Sequence, residues 1–244
     1  MPDLDTVQRW LGEAERIAVL TGAGISQESG VPVFRGPGGL WRQYRPEDLA
    51  TPEAFARDPR LVWEWYDWRR SVVARAQPNP GHRALVELEQ RTGEFTLITQ
   101  NVDGLHDRAG SRRLLKLHGD LWTLRCLGCG RESVNHTVPL PELPPRCECG
   151  SLLRPGVVWF GENLPEDSLR DAFAAARRAQ LFLVVGTSAV VQPAASLPIL
   201  ARQAGACVVE VNTEATPLTP QVDASFFGPA GEVLPRLVEV AVRP

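Results

Sequence analysis

Residues 16–36 read RIAVLTGAGISQESGVPVFRG, and the reading of this stretch decides the fold class. It opens as an apolar, β-branched run that stops at Gly22, as a buried strand does where it leaves a sheet. Gly22 and Gly24 permit a tight turn and a close approach of backbone to a bound pyrophosphate, with the start of a following helix as an anion site. The spacing is not the ordinary G-x-G-x-x-G dinucleotide fingerprint, because Gln27 stands where a third glycine would. Two glycines alone fit a plain turn equally well. Phe34 and Arg35, an aromatic and a cation in the same segment, add weight to a ligand-binding loop.

Three further runs have the same character: EFTLITQN (94–101), QLFLVVGTS (180–188) and CVVEVN (207–212). Each ends in small or polar residues. Helix-like segments separate them, most clearly at 80–91, 165–180 and 194–205. Apolar strands alternating with amphipathic helices predict an α/β fold, a parallel sheet with helices on both faces that binds ligands at the carboxyl ends of its strands. Two stretches break the alternation. Residues 36–77 hold Pro/Gly-rich loops and helices, and residues 120–155 hold paired cysteines and the Pro-rich VPLPELPP. Both read as insertions that build a small lobe, a helical module and a metal-binding module. Residues 1–35, 78–119 and 156–244 are left for the main domain.

The net charge is -3, and no polybasic surface argues for nucleic acid or membrane. The acidic, amphipathic opening lacks the basic start and apolar run of a signal peptide. The longest apolar run, around 181–191, falls short of the ~18 residues that a spanning helix requires. A soluble, cytoplasmic, monomeric protein is the expectation.

Cys126 and Cys129 form C-x-x-C, and Cys147 and Cys149 form C-x-C after 17 intervening residues. Four clustered thiols without a secretion signal predict a closed tetrahedral Zn2+ site of structural type. The second pair is one residue shorter than usual in a zinc ribbon. A redox-labile cluster, or a site completed by His136, are the alternatives. Cys207 lies in an apolar run and reads as a buried small hydrophobe. Gln100, Asn101 and Asp103 end the second run in TQNVDGLH, a polar cluster suited to ribose hydroxyls and a carboxamide, or to an Asx-type turn. His118, in LKLHGD, falls between that strand end and the cysteines and reads either as a structural histidine or, in a cleft near ribose hydroxyls, as a general base with an ordinary pKa of ~6.5.

In order, GAGISQESGVPVFRG, TQNVDGLH, LHGD, the paired cysteines, RPGVVWFGE, VVGTS, EVN and GPAGEVL resemble the motifs of the sirtuins, NAD-dependent protein lysine deacylases, over essentially the whole chain. The resemblance implies a Rossmann-like domain with a small lobe of zinc-binding and helical modules. It implies that Gly22, Ala23, Gly24, Ile25, Phe34 and Arg35 cradle the diphosphate and cover the nicotinamide ribose of NAD. Gln100 and Asn101 would contact that ribose, and Val102 and Asp103 the carboxamide. Gly186, Thr187 and Ser188 would line the phosphate and adenosine-ribose side, Asn212 would bind the adenosine ribose, and Ala230 would lie at the adenine. His118 matches the catalytic histidine. VVWFGE resembles the strand that pairs with the substrate backbone, with Val158 and Phe160 lining the acyl-lysine tunnel. The implied products are nicotinamide, 2′-O-acyl-ADP-ribose and free lysine, and the implied partners are acylated lysine-containing proteins. ADP-ribosyl transfer, a mainly deacetylating enzyme, and a non-catalytic NAD-sensing zinc protein are the rival readings.

The stretch WEWYDWRRSVV (63–73) belongs to a helix that Asp58 and Pro59 are suited to start. Leu61, Trp65, Trp68 and Val72 follow helical spacing and predict its core face. Tyr66 and Arg69 lie on a neighbouring face, where they form either a solvated pair or a carboxylate clamp. Their Y-x-x-R spacing resembles the mark of class III sirtuins, which remove succinyl, malonyl or glutaryl groups. Ala50, in DLATPEAF, would leave room for the longer acyl chain.

Overall fold

The computed structural model describes residues 2–34 and 39–239. The chain begins with α1 (Leu4–Glu13) and β1 (Arg16–Thr21), then a 3-10 helix over Ala23–Ser29. Helices α2 (Pro46–Leu49), α3 (Pro52–Arg57), α4 (Pro59–Arg75) and α5 (Pro80–Arg91) follow, then β2 (Glu94–Thr99), α6 (Leu105–Ala109) and β3 (Leu114–Lys116). Strands β4 (Gly119–Cys126), β5 (Glu132–Val134) and β6 (Leu153–Val157) come next. The chain continues through α7 (Glu166–Arg178), β7 (Leu181–Val185), α8 (Leu197–Gln203), β8 (Cys207–Asn212), β9 (Ala224–Phe227) and α9 (Ala230–Val238).

Six parallel strands form the main sheet in the order β3-β2-β1-β7-β8-β9. The order runs outward from β1 in both directions, so the sheet reverses between β1 and β7, as in the Rossmann fold. Alternation within each strand supplies both faces. Ile17, Val19, Leu97, Leu183 and Val209 pack with α1, α5 and α9, whereas Ala18, Leu20, Ile98, Phe182, Val184 and Val208 pack with α7 and α8. The four longest strands of this sheet, β1, β2, β7 and β8, are those predicted from sequence. The edge strands β3 and β9 are too short to show a periodic pattern, and they were not predicted.

A second sheet, antiparallel in the order β5-β4-β6, joins the cysteine segment to α4. The core between them holds Val62, Trp63, Tyr66, Leu121, Leu124, Val157 and Trp159.

Helix α4 begins as predicted, with Asp58 Oδ1 accepting the Leu61 N–H at 2.9 Å. Its core face is not the predicted one. Leu61 and Trp68 are 45% and 41% exposed, while Val62, Trp63, Tyr66, Asp67, Arg69, Arg70 and Val73 are buried together with Trp65. Hydrophobicity mislocates the face because two charges on the inner side bond to distant backbone. Asp67 Oδ1 accepts the Leu140 N–H at 3.0 Å. Arg70, 0% exposed, donates to Leu121 O at 2.9 Å, Asn135 O at 2.7 Å, Asn135 Oδ1 at 2.9 Å and Thr137 O at 3.1 Å.

Replacing Arg70 takes the donor from these four acceptors, of which Asn135 Oδ1 keeps the Thr137 N–H. Arg70→Met is therefore expected to lower the unfolding free energy by about 2–4 kcal/mol. Urea melts check this, and a loss below about 1 kcal/mol would contradict the role given to Arg70.

Candidate active site

The floor of the site lies at the carboxyl ends of β1, β2, β7 and β8. Gly22 N–H donates to Val185 O at 3.0 Å, and Gly24 N–H donates to Gly186 O at 2.8 Å. A Cβ on Gly22 would lie 2.8 Å from both Gly186 O and Thr187 Cβ, and one on Gly24 would lie 2.7 Å from Gly186 Cα. The two glycines thus serve first the contact of one loop with the other. That contact puts Gly22 against Thr187 and the Ile25 backbone nitrogen against Gly186. Gln100 Nε2 donates to Thr187 Oγ1 at 3.0 Å, and Asn212 Nδ2 donates to Thr187 O at 2.8 Å. Gly22–Ile25, Gln100, Gly186–Ser188 and Asn212 therefore share one rim. Ala230 is buried at the start of α9, whose Gly231 N–H donates to Glu28 Oε2 at 2.6 Å. Glu28 lies in the 3-10 helix after the glycine turn. Phe34 is half-buried against Arg69, and Arg35 lies outside the described residues.

Below the rim is a buried polar network. Ser26 Oγ–H donates to Asp103 Oδ2 at 2.8 Å, and Asn101 Nδ2 donates to Ser26 Oγ at 3.3 Å and to Gly22 O at 3.1 Å. Asp103 Oδ1 accepts Leu105 N–H at 2.8 Å, and Trp122 Nε1–H reaches Asp103 O at 2.9 Å. Val102 is buried beside them. Burial pushes the Asp103 carboxyl pKa up, against the two hydrogen bonds to its oxygens.

His82 Nδ1 accepts the Asn79 N–H at 3.3 Å, which leaves Nε2–H pointed at Ser26 Oγ, 3.5 Å away. His106 Nε2 lies 3.0 Å from Thr21 Oγ1, which donates to Thr99 Oγ1 at 2.8 Å. The two imidazoles lie 4.9 Å apart. Burial, with Arg83 adding to it, lowers the His82 pKa to about 4, and burial holds His106 well below its ordinary value. Sequence reading missed Ser26, His82, His106, Thr21 and Thr99. The available signals were polar residues at the ends of apolar strands and the Asn79–His82 spacing, which is a helix capping box.

His118 stands where the two lobes meet, between β3 and β4. Its Nδ1 lies 3.0 Å from Gln100 O, a carbonyl that can only accept, so the proton sits on Nδ1 and Nε2 keeps its lone pair. Burial lowers its pKa, partly offset by that hydrogen bond, and the ring is a neutral base at pH 7.

Of the stretch VVWFGE (157–162), Val157 ends β6 and residues 158–162 carry no strand of the protein's own sheets. They bridge instead: Val158 N–H donates to His118 O at 2.9 Å, and Phe160 N–H donates to Ala50 O at 3.0 Å. These two N–H groups are thus bonded within the protein. Val158 is half-buried, Phe160 is 44% exposed, and Ala50 is buried. Tyr66 and Arg69 lie inside the lobe, not on a solvated face, with exposures of 2% and 6%. The Arg69 guanidinium carbon lies 4.5 Å from the Phe34 ring centre and 5.0 Å from that of Trp65.

The sulfur atoms of Cys126, Cys129, Cys147 and Cys149 all lie within 4.8 Å of one another. Two of the separations are 3.4 Å (Cys126–Cys149) and 3.8 Å (Cys129–Cys147). Zinc–sulfur bonds of about 2.3 Å around a tetrahedron place sulfurs about 3.8 Å apart, so the four residues fit Zn2+. The short C-x-C spacing does not prevent closure. His136 instead packs on Trp122, with ring centres 5.2 Å apart. Cys207 is half-buried in β8.

The Sir2 family model matches residues 22–193, and the chain belongs to the Sir2 family. An NAD-dependent protein deacylase of Aquifex aeolicus is 60% identical over 86% of this chain and 88% of its own length. NAD-dependent protein deacylase 2 of Pyrobaculum aerophilum is 56% identical over 96% of this chain and 94% of its own. Among solved structures, a Sir2 homolog–NAD complex superposes with a TM-score of 0.90 at 52% identity, covering 96% of this chain and 91% of that one. A Sir2–p53 peptide–NAD+ complex superposes at 0.88 with 34% identity, covering 98% of both chains.

Purified protein is expected to carry one zinc per chain, and chelation is expected to abolish a cooperative melt. Full retention of the melt without metal would show that the cysteines do not hold the lobe together. His82 yields a second outcome. Because its folded pKa lies below the unfolded value of ~6.5, the unfolded chain binds more protons between about pH 6.5 and 4. Stability therefore falls as pH drops through that window, by on the order of 2 kcal/mol from His82 at pH 5. Urea melts of His82→Gln should show a shallower fall over that range than wild type, and parallel curves would refute the assignment.

Proposed function

We propose that this Sir2-family protein, an NAD-dependent protein deacylase, acts preferentially on lysines carrying succinyl, malonyl or glutaryl groups. The observation that carries the reading is Arg69, a buried guanidinium that forms no ion pair among the described residues. Asp103 acts on it only through space, and burial lowers its pKa. A buried charge without a counter-ion is costly, and a carboxylate brought by the substrate relieves that cost. Planar arginine is suited to hold such a group by two parallel bonds, and the Tyr66 hydroxyl lies on the same helix face to add a third. Ala50, small and buried, is consistent with a tunnel that admits more than an acetyl group.

When bound, NAD supplies an activated ribose carbon with nicotinamide as its leaving group. The glycine turn and Thr187 fit the diphosphate side. Asn101 and Asp103, fixed through Ser26, fit the nicotinamide side. His118 accepts a proton at Nε2 from the ribose hydroxyls, and its Nδ1–H bond to Gln100 O holds the ring in the tautomer required. Phe34, over Arg69 at the lobe junction, is placed to keep water from the reacting carbon.

A charged hydrogen bond contributes about 1.5–3 kcal/mol, or roughly ten- to a hundredfold in preference. Arg69→Met is therefore expected to lower the succinyl-to-acetyl ratio of kcat/KM by that factor, while NAD-dependent deacetylation persists. The assay follows nicotinamide release from one peptide carrying either group. An unchanged ratio would remove Arg69 from acyl recognition.

A further inference from the structure

Tyr66 has its hydroxyl enclosed, and the bond that reaches it comes from the segment after β6. Trp159 Nε1–H donates to the Tyr66 hydroxyl oxygen at 2.9 Å. The tryptophan is held on several sides. Its ring centre lies 3.5 Å from the Arg154 guanidinium carbon and 5.3 Å from the Phe55 ring centre. Its backbone N–H donates to Glu162 Oε2 at 2.8 Å. Arg154 and Glu162 close this frame with two bonds of 2.5 and 2.8 Å, and Arg154 also donates to Val157 O at 3.0 Å. Arg154, Trp159 and Tyr66 are all buried.

A phenol oxygen that accepts one N–H still has its own proton to donate. Among the described residues none accepts the Tyr66 proton, and burial raises the hydroxyl pKa to about 12, which keeps the proton in place. The incoming Trp159 bond occupies one side of the oxygen and so restricts the directions left to the O–H. Phenylalanine at 159 could fill the same slot between Arg154 and Phe55, but it could not orient the hydroxyl. The ring nitrogen is what packing alone does not require.

The geometry points to Trp159, framed by Arg154 and Glu162, as a positioning residue that turns the Tyr66 hydroxyl toward the carboxylate of an acidic acyl-lysine. The inference rests on the acidic-acyl reading above, and in it Trp159 acts through Tyr66. Tyr66 and Arg69 then act as a pair of donors preset before substrate arrives, one oriented by Trp159 and the other by its stacking on Phe34 and Trp65.

Trp159→Phe deletes the donor and keeps an aromatic plane against Arg154. The test measures kcat and KM for succinyl- and acetyl-lysine forms of one peptide in wild type, Trp159→Phe, Tyr66→Phe, the double variant and Arg69→Met. Because the succinyl-to-acetyl ratio is taken within each variant, any loss of active fraction cancels. In Trp159→Phe the ratio is expected to fall about three- to tenfold, chiefly through the KM of the succinyl peptide. In the Tyr66→Phe background the same substitution is expected to change it by less than about twofold. An equal fall in both backgrounds would show that Trp159 only packs, and would overturn the inference. So would an unchanged ratio in Trp159→Phe alongside a reduced one in Arg69→Met, an outcome that leaves the acidic-acyl reading intact. A wild type without succinyl preference and an Arg69→Met variant without effect would overturn both together.

Discussion

Backbone meets backbone where the sheet reverses between β1 and β7, and the geometry of the site depends on that contact. Gly22 and Gly24 donate to Val185 O and Gly186 O, and Gly186 itself has a positive φ of 59°. A side chain at Gly22 or Gly24 would press on the Gly186–Thr187 backbone within 3 Å. Such contacts are closer than real Cβ atoms tolerate, so one loop would have to withdraw. Thr187 would move with it, and with Thr187 go its bonds to Gln100 and Asn212. Gln100 O in turn holds the His118 ring. A constraint on two glycines is thereby transmitted to the tautomer of the base, through bonds that each depend on the previous one. The glycines of this motif are therefore as much a requirement of the fold as of any ligand.

What the sequence disclosed follows the range of the interactions involved. The strands β1, β2, β7 and β8 are legible because each is long enough for its apolar run to be seen, and both sheet faces are covered. Edge strands β3 and β9 have three and four residues, and their pairing is set by neighbours rather than by their own pattern. Site residues at strand ends, such as Gln100, Asn101 and Gly186, were visible because polar groups closing an apolar run are unusual. Ser26 and His82 were not, since a serine in a turn and a histidine in a helix are ordinary until the fold brings them to Asp103. The face of α4 was read wrongly for a related reason. Its buried charges are compensated from Asn135 and Leu140, 65 and 73 residues away, and no local periodicity records such partners.

The two halves of the site differ in how far their polar groups are satisfied. Around Asp103 the acceptors and donors are met by the protein itself, through Ser26, Asn101, Leu105 and Trp122. Such a network holds its shape, because moving one member leaves another unpaired in a low-dielectric interior. On the acyl side, Arg69 and Tyr66 keep donors that the described residues do not take up. Under the acidic-acyl proposal, the rigid half would serve the constant reactant and the half with open donors would set substrate preference.

Those open donors project from a helix that rests on the cysteine-bearing sheet. Arg69 and Tyr66 project from α4, and Arg70 beside them bonds to Leu121 O in β4 and to Asn135 and Thr137 beyond β5. Strand β4 ends at Cys126, the first of the four thiols, and β6 begins at Leu153, just beyond the last. The metal site fixes the far end of the sheet on which α4 rests. With the cysteines unlinked, β4 and β6 would keep their mutual bonds but lose the closure at their far end, across which residues 135–140 run. Arg70 would keep Leu121 O, which β4 holds, but its acceptors at Asn135 and Thr137 lie in the segment between the two cysteine pairs, and a buried arginine that loses acceptors is costly to keep buried. Under the acidic-acyl proposal a structural metal would act at a distance on acyl recognition, because the segment between its two cysteine pairs holds Arg70 while the adjacent Arg69 forms no ion pair among the described residues.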